Sequence, residues 1–447
     1  MSSSSSSSSG GGGGGGVARV YRGAFAHSTR DSALRVLTDC VLGVNARGKE
    51  SEFYTGSVEV RVTNDRHSEF FMPGMVDTHI HASQYAYSGT HLDLPLLDWL
   101  NIYTFPLESR YEDLDFAKDA YTKVVKRTLR NGTTTACYFA TIHTEASLLL
   151  GEITDYFGQR ALIGKVCMDL NPMVPEYKEL TEESKEETDR FITELLRKKY
   201  ALVKPIVTPR FAMSCSSALL SNLGKTARNN DLHIQSHISE NKQEVQFVKA
   251  LFPECKSYTD VYVKHGLLTS KTVMAHGCHL TDEELETFHE KGAALSHCPN
   301  SNISLISGLL NVRNVLNHKV KLGLGTDVAG GYSSSMLDAI RKAVDTSKAL
   351  CIQDAQLQPL SYKEAFRLAT LGGSEVLSLD DCLGNFEVGK DFDALRVNVG
   401  VPGSPIDVFP GDDLEVLLEK FLNLGDDRNI VEVYVAGKRV VPLPDSK

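Results

Sequence analysis

Residues 73–81 read PGMVDTHIH, an apolar stretch that ends in two histidines two positions apart. The pattern predicts a β-strand that ends at His81. Alternate residues of a strand point to the same face, so the side chains of His79 and His81 are expected to lie together, as two ligands of one metal ion do. Taken alone the pair is a weak signal, because two polar residues also occur at the ends of ordinary strands.

Three later stretches place more histidines and acids at the ends of predicted strands. HIQSHISE at 233–240 contains His237 and Glu240, VMAHG contains His276, and GLGTD ends in Asp327. Each has an ordinary explanation, since a buried histidine often only satisfies core hydrogen bonds and an aspartate after a strand often caps a helix. Their shared position decides between the explanations. Four strand ends that carry His-x-His, His, His and Asp indicate a metal site.

Eight apolar, strand-like runs alternate with helical stretches such as 116–129 and 182–196. This alternation is typical of parallel βαβ units and predicts an α/β fold, a (β/α)8 barrel of the TIM type. In such a barrel the loops at the C-terminal ends of the strands build the active site. The predicted strands are 71–81, 134–140, 160–169, 202–210, 233–240, 272–279, 293–298 and 321–326.

The two ends of the chain differ from this central part, since each contains short β-like pieces. The last piece is predicted to turn as a hairpin at Ala436-Gly437. Neither end is long enough for a core of its own, so 17–75 and 378–447 are predicted to join into one small β-sandwich domain beside a barrel of residues 76–377. The pieces are 18–21, 34–44, 58–62, 392–397 and 430–441.

Composition narrows the classes of partner. The chain has 447 residues and a formal net charge of −10, which disfavours nucleic acid and anionic membranes as partners. Nine cysteines without a Cys-x-x-Cys pair favour reduced thiols and a cytosolic location. Residues 1–16 are Met followed by Ser and Gly tracts, which predict a disordered tail with none of the features of a signal peptide.

The predicted metal site favours zinc, because imidazole nitrogens with one carboxylate suit this ion. Barrels that hold two metal ions often use a modified lysine at the end of the fourth strand. Here that strand ends at Arg210, which cannot ligate a metal, while Lys204 lies near the strand's start. One ion is therefore expected. The predicted ligands are His79, His81, His237 and Asp327, with His276 either completing the shell or bonding a water molecule.

A metal-bound water has its pKa lowered to roughly 7, so this site predicts hydrolytic chemistry. Glu240 lies three residues beyond His237 and is predicted to move protons between the water and a departing amine. Asp327 is predicted to serve as ligand and as base. The alternative for Glu240 is an exposed acid at the start of the helix that begins at Asn241, where the helix dipole favours negative charge.

Other residues of the same rim are candidates for contacts with the substrate. The amide of Gln84 both donates and accepts, Arg210 donates a fork of hydrogen bonds, and Phe211 offers a ring that stacks on a flat heterocycle. Arg210 has an alternative role in an ion pair with a rim carboxylate. The polar run at 296–302 either lines the site or only forms the turn.

These motifs resemble those of the amidohydrolase superfamily, in its one-metal deaminase branch. The resemblance rests on the stretches around 73–81, 237–240, 275–277, 297–302 and 325–327, and extends from about residue 17 to 445. Within the branch, the sequences HASQY, NGTTTACYFATIH and KPIVTPRF are very similar to those of enzymes that act on guanine.

The resemblance implies hydrolysis of guanine to xanthine and ammonia, a step of purine breakdown, by a cytosolic homodimer. It implies one zinc ion per subunit, bound through His79, His81, His237, His276 and Asp327. It also implies that the catalytic residues are Glu240, Asp327 and His276. Guanine contacts are expected from His81, Ala82, Ser83, Gln84, Arg210, Phe211, His237, Glu240 and Asp327.

Two alternative functions are also compatible with the sequence. One is a related aminohydrolase that acts on a pterin, a cytosine-like ring or a halogenated triazine. Gln84 with Arg210 favours a ring with an amide edge, which triazines lack. The other is a binding or scaffold protein without catalytic activity, which the full set of predicted metal ligands disfavours.

Overall fold

The computed structural model describes residues 17–55 and 68–443. The predicted tail of residues 1–16 and the predicted β-like piece at 58–62 lie outside these ranges. Within them, no helix is both long enough and apolar enough to cross a membrane. All nine cysteines fall in the described ranges, and each is a free thiol.

The strands are numbered in chain order. They are β1 (Val17–His27), β2 (Arg35–Asn45), β3 (Glu50–Thr55), β4 (Glu69–Pro73), β5 (Met75–His81), β6 (Thr133–Phe139), β7 (Arg160–Gly164), β8 (Val166–Cys167), β9 (Val203–Pro209), β10 (His233–Ile238), β11 (Thr272–His276), β12 (Ala294–His297), β13 (Lys321–Leu324), β14 (Ala394–Asn398), β15 (Ile430–Val435) and β16 (Lys438–Val441).

The α-helices are numbered in the same way. They are α1 (Leu96–Trp99), α2 (Phe105–Glu108), α3 (Leu114–Arg130), α4 (Thr144–Phe157), α5 (Thr181–Arg197), α6 (Ser217–Asn229), α7 (Lys242–Leu251), α8 (Tyr258–Lys264), α9 (Asp282–Lys291), α10 (Pro299–Ser304), α11 (Val312–Asn317), α12 (Met336–Gln353), α13 (Tyr362–Ala369), α14 (Leu371–Val376) and α15 (Leu414–Leu424).

Eight parallel strands form a nearly closed barrel in the order β5-β6-β7-β9-β10-β11-β12-β13, and the short β8 pairs with β9. Helices follow the strands along the chain, and the amphipathic helices α3 and α5 bury their apolar faces. The predicted (β/α)8 barrel is confirmed. Its C-terminal rim is where the loops after each strand converge.

The first and last strands of the barrel meet through side-chain and backbone hydrogen bonds. The carboxylate of Asp77 on β5 accepts from the backbone N–H of Thr326 at 3.0 Å and from its hydroxyl at 2.6 Å. One residue further on, the N–H of Asp327 donates to the carbonyl of His79 at 2.9 Å. This closure therefore brings a residue from each end of the barrel sequence to the same point of the rim.

A smaller sheet combines strands from both chain ends in the order β16-β15-β14-β4-β1-β2-β3. The hairpin between β15 and β16 turns at Ala436 and Gly437, whose φ angles are 47° and 73°. Two left-handed residues match the twist of a tight hairpin, and the predicted turn is confirmed. The predicted domain boundaries at 75/76 and 377/378 stay a prediction.

Several barrel strands end earlier than the sequence predicts, and the predicted strand 71–81 is two strands that separate at Gly74. At three strand ends the backbone turns into the left-handed region, with φ of 47° at Ser239, 75° at His276 and 47° at Asp327. The local sequence gives no sign of these turns, because none of the three residues is glycine. Each turn redirects the chain at the rim.

The barrel interior includes a buried polar layer below the rim. Gln235 on β10 donates to the hydroxyl of Thr208 and to the carbonyl of Tyr138, at 3.0 Å each. A Cβ atom added to Gly164 would lie 2.9 Å from the Cβ atom of Thr208 and even closer to the Thr208 hydroxyl. It would also overlap with the side-chain amide of Gln235. The interior therefore requires glycine at this position.

We expect Gly164→Ala to lower the free energy of unfolding by about 1–3 kcal/mol, because the added methyl group overfills the barrel. The matched control is Gly23→Ala on β1, where the new Cβ would have Phe71 as its nearest neighbour at 3.9 Å, an ordinary contact. Denaturant unfolding of both variants measures the difference. Equal stability of the two variants would contradict this account of the barrel interior.

Candidate active site

A cavity opens at the C-terminal rim of the barrel. Its walls come from the strand ends and from the segment after β5, which contains a 3-10 helix (Ala82–Tyr87), α1, and a π-helix (Leu100–Thr104). Both polar and apolar side chains line the cavity. The lining residues are His81, Gln84, Leu96, Trp99, Leu100, Arg210, Phe211, His237, Glu240, His276, Leu305, Asp327 and Gly330.

Four of the predicted ligands form one buried cluster with metal-binding geometry. One ligand atom each from His79, His81, His237 and Asp327 lies within 4.8 Å of all the others. His79 Nε2 is 3.1 Å from Asp327 Oδ1, and the Nε2 atoms of His81 and His237 face each other at 3.1 Å. Three imidazoles and one carboxylate are a donor set typical of divalent zinc-like ions.

The electrostatics of the cluster suit a metal ion. Burial lowers the pKa of His81 and His237 well below the usual value, which leaves both imidazoles neutral with a free lone pair. Burial alone would raise the pKa of Asp327, but the neighbouring imidazoles of His79, His276 and His81 bring it below the usual range. His79 Nε2 is buried, and apart from its approach to Asp327 Oδ1 it has no hydrogen-bond partner among the described residues. The residues present therefore fit a metal ion.

Backbone and side-chain groups orient two of the imidazoles. His237 Nδ1 bonds the carbonyl of Arg210 at 2.5 Å, which turns its Nε2 towards the cluster. His276 Nδ1 bonds Asn302 Oδ1 at 2.8 Å, which turns its Nε2 towards Glu240 Oε2 at 3.3 Å and Asp327 Oδ2 at 3.6 Å. His276 thus lies beside the four-residue cluster, close to Asp327.

The polar run at 296–302 acts on the site indirectly. Its second half forms α10, and Asn302 of that helix is the residue that orients His276. The sequence left open whether this run lines the cavity or forms a turn. None of its residues lines the cavity, and its second half is helical rather than a turn. Asn302 is a supporting residue that the sequence reasoning did not single out.

Glu240 is a buried residue of the cavity wall, with only 4% of its surface exposed. The hydroxyl of Ser307 donates to its Oε1 at 2.9 Å, and burial raises its pKa to about 7. Helix α7 begins at Lys242, and Asn241 with Glu244 caps its N-terminus. The alternative of an exposed acid at the start of this helix is therefore wrong.

Arg210 makes the ion pair that was its alternative role, and it also lines the cavity. Its two Nη atoms donate to the carboxylate of Glu108 at 2.6 and 3.2 Å. Gln84 Nε2 donates to the same carboxylate at 3.2 Å. Glu108 was missed by the sequence reasoning, because an acid in the acidic stretch 108–115 carries no signal of its own.

The remaining predicted contact residues divide into two groups. Phe211 lines the cavity, where Leu96, Trp99, Leu100 and Leu305 complete the apolar wall. Ala82 and Ser83 are buried next to His81, but neither lines the cavity, and the Ser83 hydroxyl donates to the carbonyl of Ala140 at 3.1 Å. The apolar residues from the helical segment after β5 had no sequence signal, since their position depends on how that segment folds over the rim.

Comparison with known proteins gives a consistent result. The sequence model of the Amidohydrolase family matches residues 70–440. The chain is 60% identical over 445 residues to guanine deaminase of Rattus norvegicus and 59% identical over 445 residues to that of Homo sapiens, covering 96% of this chain and 98% of each relative. A guanine deaminase structure from C. acetobutylicum, with guanine bound in the active site, aligns with a TM-score of 0.88 at 34% identity, covering 94% of this chain and 99% of that one.

We expect His237→Ala to lose most of the bound metal, because the cluster then keeps only three of its four ligands. The matched control is His233→Ala, which removes a histidine from the opposite, N-terminal end of the same strand. Metal content per chain, measured by elemental analysis on folded protein, separates the two variants. Full metal occupancy in His237→Ala would contradict the ligand assignment.

Proposed function

The chain belongs to the amidohydrolase family, and from this membership we propose that it is a guanine deaminase, which hydrolyses guanine to xanthine and ammonia. The observation that carries the proposal is the cavity at the barrel rim that His81, His237 and Asp327 line. A metal-binding cluster, a buried carboxylate at Glu240 and the pair Arg210 and Gln84 all face this one space. The metal-binding cluster and Glu240 provide the groups that hydrolysis needs. Arg210 and Gln84 provide hydrogen-bonding groups for the polar edge of a ring.

We propose that the metal is one zinc ion per subunit. His79, His81, His237 and Asp327 would hold the ion, with His276 beside it. When bound, such an ion lowers the pKa of a coordinated water and so supplies a nucleophile at neutral pH. The absence of a lysine at the end of β9, which stops at Pro209 before Arg210, supports one ion over two.

Deamination requires proton transfers, and we propose that Glu240 performs them. Water oxygen bonds to the ring carbon that carries the amino group, the C–N bond breaks, and the amine leaves as ammonia. Glu240 would accept a proton from water and deliver protons to a ring nitrogen and to the amine. Asp327 would assist as a base for the water. His276, whose Nε2 is 3.3 Å from Glu240 Oε2, would hydrogen-bond the same water.

The guanine ring is proposed to lie between the polar and apolar walls. Arg210 has donors left after its pair with Glu108, and these would bond the ring carbonyl, with Gln84 on the adjoining edge. Phe211 would pack on the ring face. The expected contacts from His81, His237, Glu240 and Asp327 come from residues that line the cavity, whereas Ala82 and Ser83 lie outside its lining.

The assembly state, location and metabolic role belong to the same proposal. We propose a cytosolic homodimer that acts in purine breakdown. Free thiols at all nine cysteines support a reducing compartment. The homodimer rests on the resemblance to the family.

We expect purified protein to convert guanine to xanthine and to release one ammonia per guanine, followed by ultraviolet absorbance and an ammonia assay. A pterin, a cytosine-like ring and a halogenated triazine assayed alongside test the related aminohydrolase activities. Guanine should have the highest kcat/KM, because Arg210 and Gln84 face its amide edge. Metal-loaded, folded protein that turns over none of these rings would contradict the proposal and favour a scaffold role.

We expect Glu240→Gln to lower kcat by roughly 10²–10⁴-fold, the usual contribution of a positioned acid–base group. The amide keeps the shape of the side chain but cannot carry the proton. Metal content and thermal unfolding, measured on the same sample, serve as the controls and should change little. Turnover near that of the unchanged protein would show that another group transfers the protons.

A further inference from the structure

Glu108 lies at the end of α2, outside the cavity lining, and its side chain is fully buried. Its carboxylate is the acceptor for donors from four different side chains. Arg210 supplies two of them, from Nη1 at 2.6 Å and Nη2 at 3.2 Å. Tyr177 Oη donates at 2.8 Å and Gln84 Nε2 at 3.2 Å. Ser83 Oγ lies 3.4 Å away and shares its one proton between Glu108 and the carbonyl of Ala140.

Every one of these partners donates, so the position demands a group that only accepts. An ionised carboxylate meets this demand, whereas an amide would turn an NH2 group against at least one donor. The negative charge of Glu108 also neutralises a buried positive charge. The guanidinium of Arg210 is buried, with 2% of its side chain exposed, and Glu108 is the carboxylate that pairs with it.

Glu108 fixes the orientation of Gln84 together with one backbone group. Gln84 Nε2 donates to Glu108, and Gln84 Oε1 accepts from the N–H of Ala329 at 3.0 Å. The amide is therefore held at both ends and cannot flip. One N–H of Gln84 and three N–H groups of Arg210 are left for other partners, and both residues line the cavity.

We propose that Glu108 is a positioning residue that makes the cavity selective for rings that carry a carbonyl on the bound edge. It acts through Arg210 and Gln84, whose remaining donors it aims at a ring oxygen. A ring without that oxygen leaves these buried donors unpaired and binds more weakly. The inference rests on the proposed function, because it concerns how the same cavity recognises its substrate.

The chain contains one tryptophan, Trp99, and it lines the cavity. Its fluorescence therefore reports ligand binding at this site directly and does not depend on turnover. Hypoxanthine and purine are suitable probes, because they share the same bicyclic ring and differ by the carbonyl. The ratio of their dissociation constants measures selectivity for the oxygen.

The experiment titrates both probes into the metal-loaded protein and into Glu108→Gln, Glu108→Asp and Tyr177→Phe. We expect Glu108→Gln to reduce the preference for hypoxanthine by about tenfold or more, with Glu108→Asp restoring part of it. Tyr177→Phe removes a single donor from Glu108 and leaves the cavity lining intact, so it should reduce the preference by a few-fold. It also keeps the test informative where Glu108→Gln fails to fold.

Two results would overturn the inference. One is an equal loss of affinity for both probes in the folded variants, which is what a purely structural ion pair predicts. The other is an unchanged preference in folded Glu108→Gln or, where that variant does not fold, in Tyr177→Phe. Guanine turnover by the unaltered protein is measured in parallel, so failure of the proposed function is seen separately from failure of the role of Glu108.

Discussion

The closure of the barrel by Asp77 is the constraint on which the rest of the site depends. This buried carboxylate on β5 holds Thr326, just beyond β13, through two hydrogen bonds. Because the first and last strands meet there, His79 Nε2 comes within 3.1 Å of Asp327 Oδ1, although the two residues are far apart in sequence. Without this closure the metal-binding cluster would lose its shape, since each end of the barrel contributes a ligand.

The metal-binding cluster and the recognition residues of the cavity differ in their electrostatics. Around the cluster, burial keeps His81 and His237 neutral and so preserves lone pairs for a cation. On the recognition side, the buried charge of Arg210 is balanced by Glu108. On the recognition side the buried charge therefore has its partner within the protein, which allows these groups to be preorganised before a ligand arrives.

Much of the fold and the cluster was predictable from sequence, because strand parity and the order of strand ends are local patterns. His79 and His81 follow from alternation along β5, and His237 and Asp327 follow from eight βα units. Glu108, Trp99 and Asn302 were not predictable, since their roles depend on how βα loops fold over the rim. The left-handed turns at His276 and Asp327 were likewise hidden, because neither residue is glycine.

The central claim is that this cavity hydrolyses guanine with one bound metal ion. The most direct test removes metal with a chelator, adds zinc back in steps, and measures guanine turnover and metal content on the same samples. We expect no turnover in the metal-free protein and a linear recovery that is complete at one zinc per chain. Full turnover without metal, or recovery that requires two ions per chain, would contradict the claim.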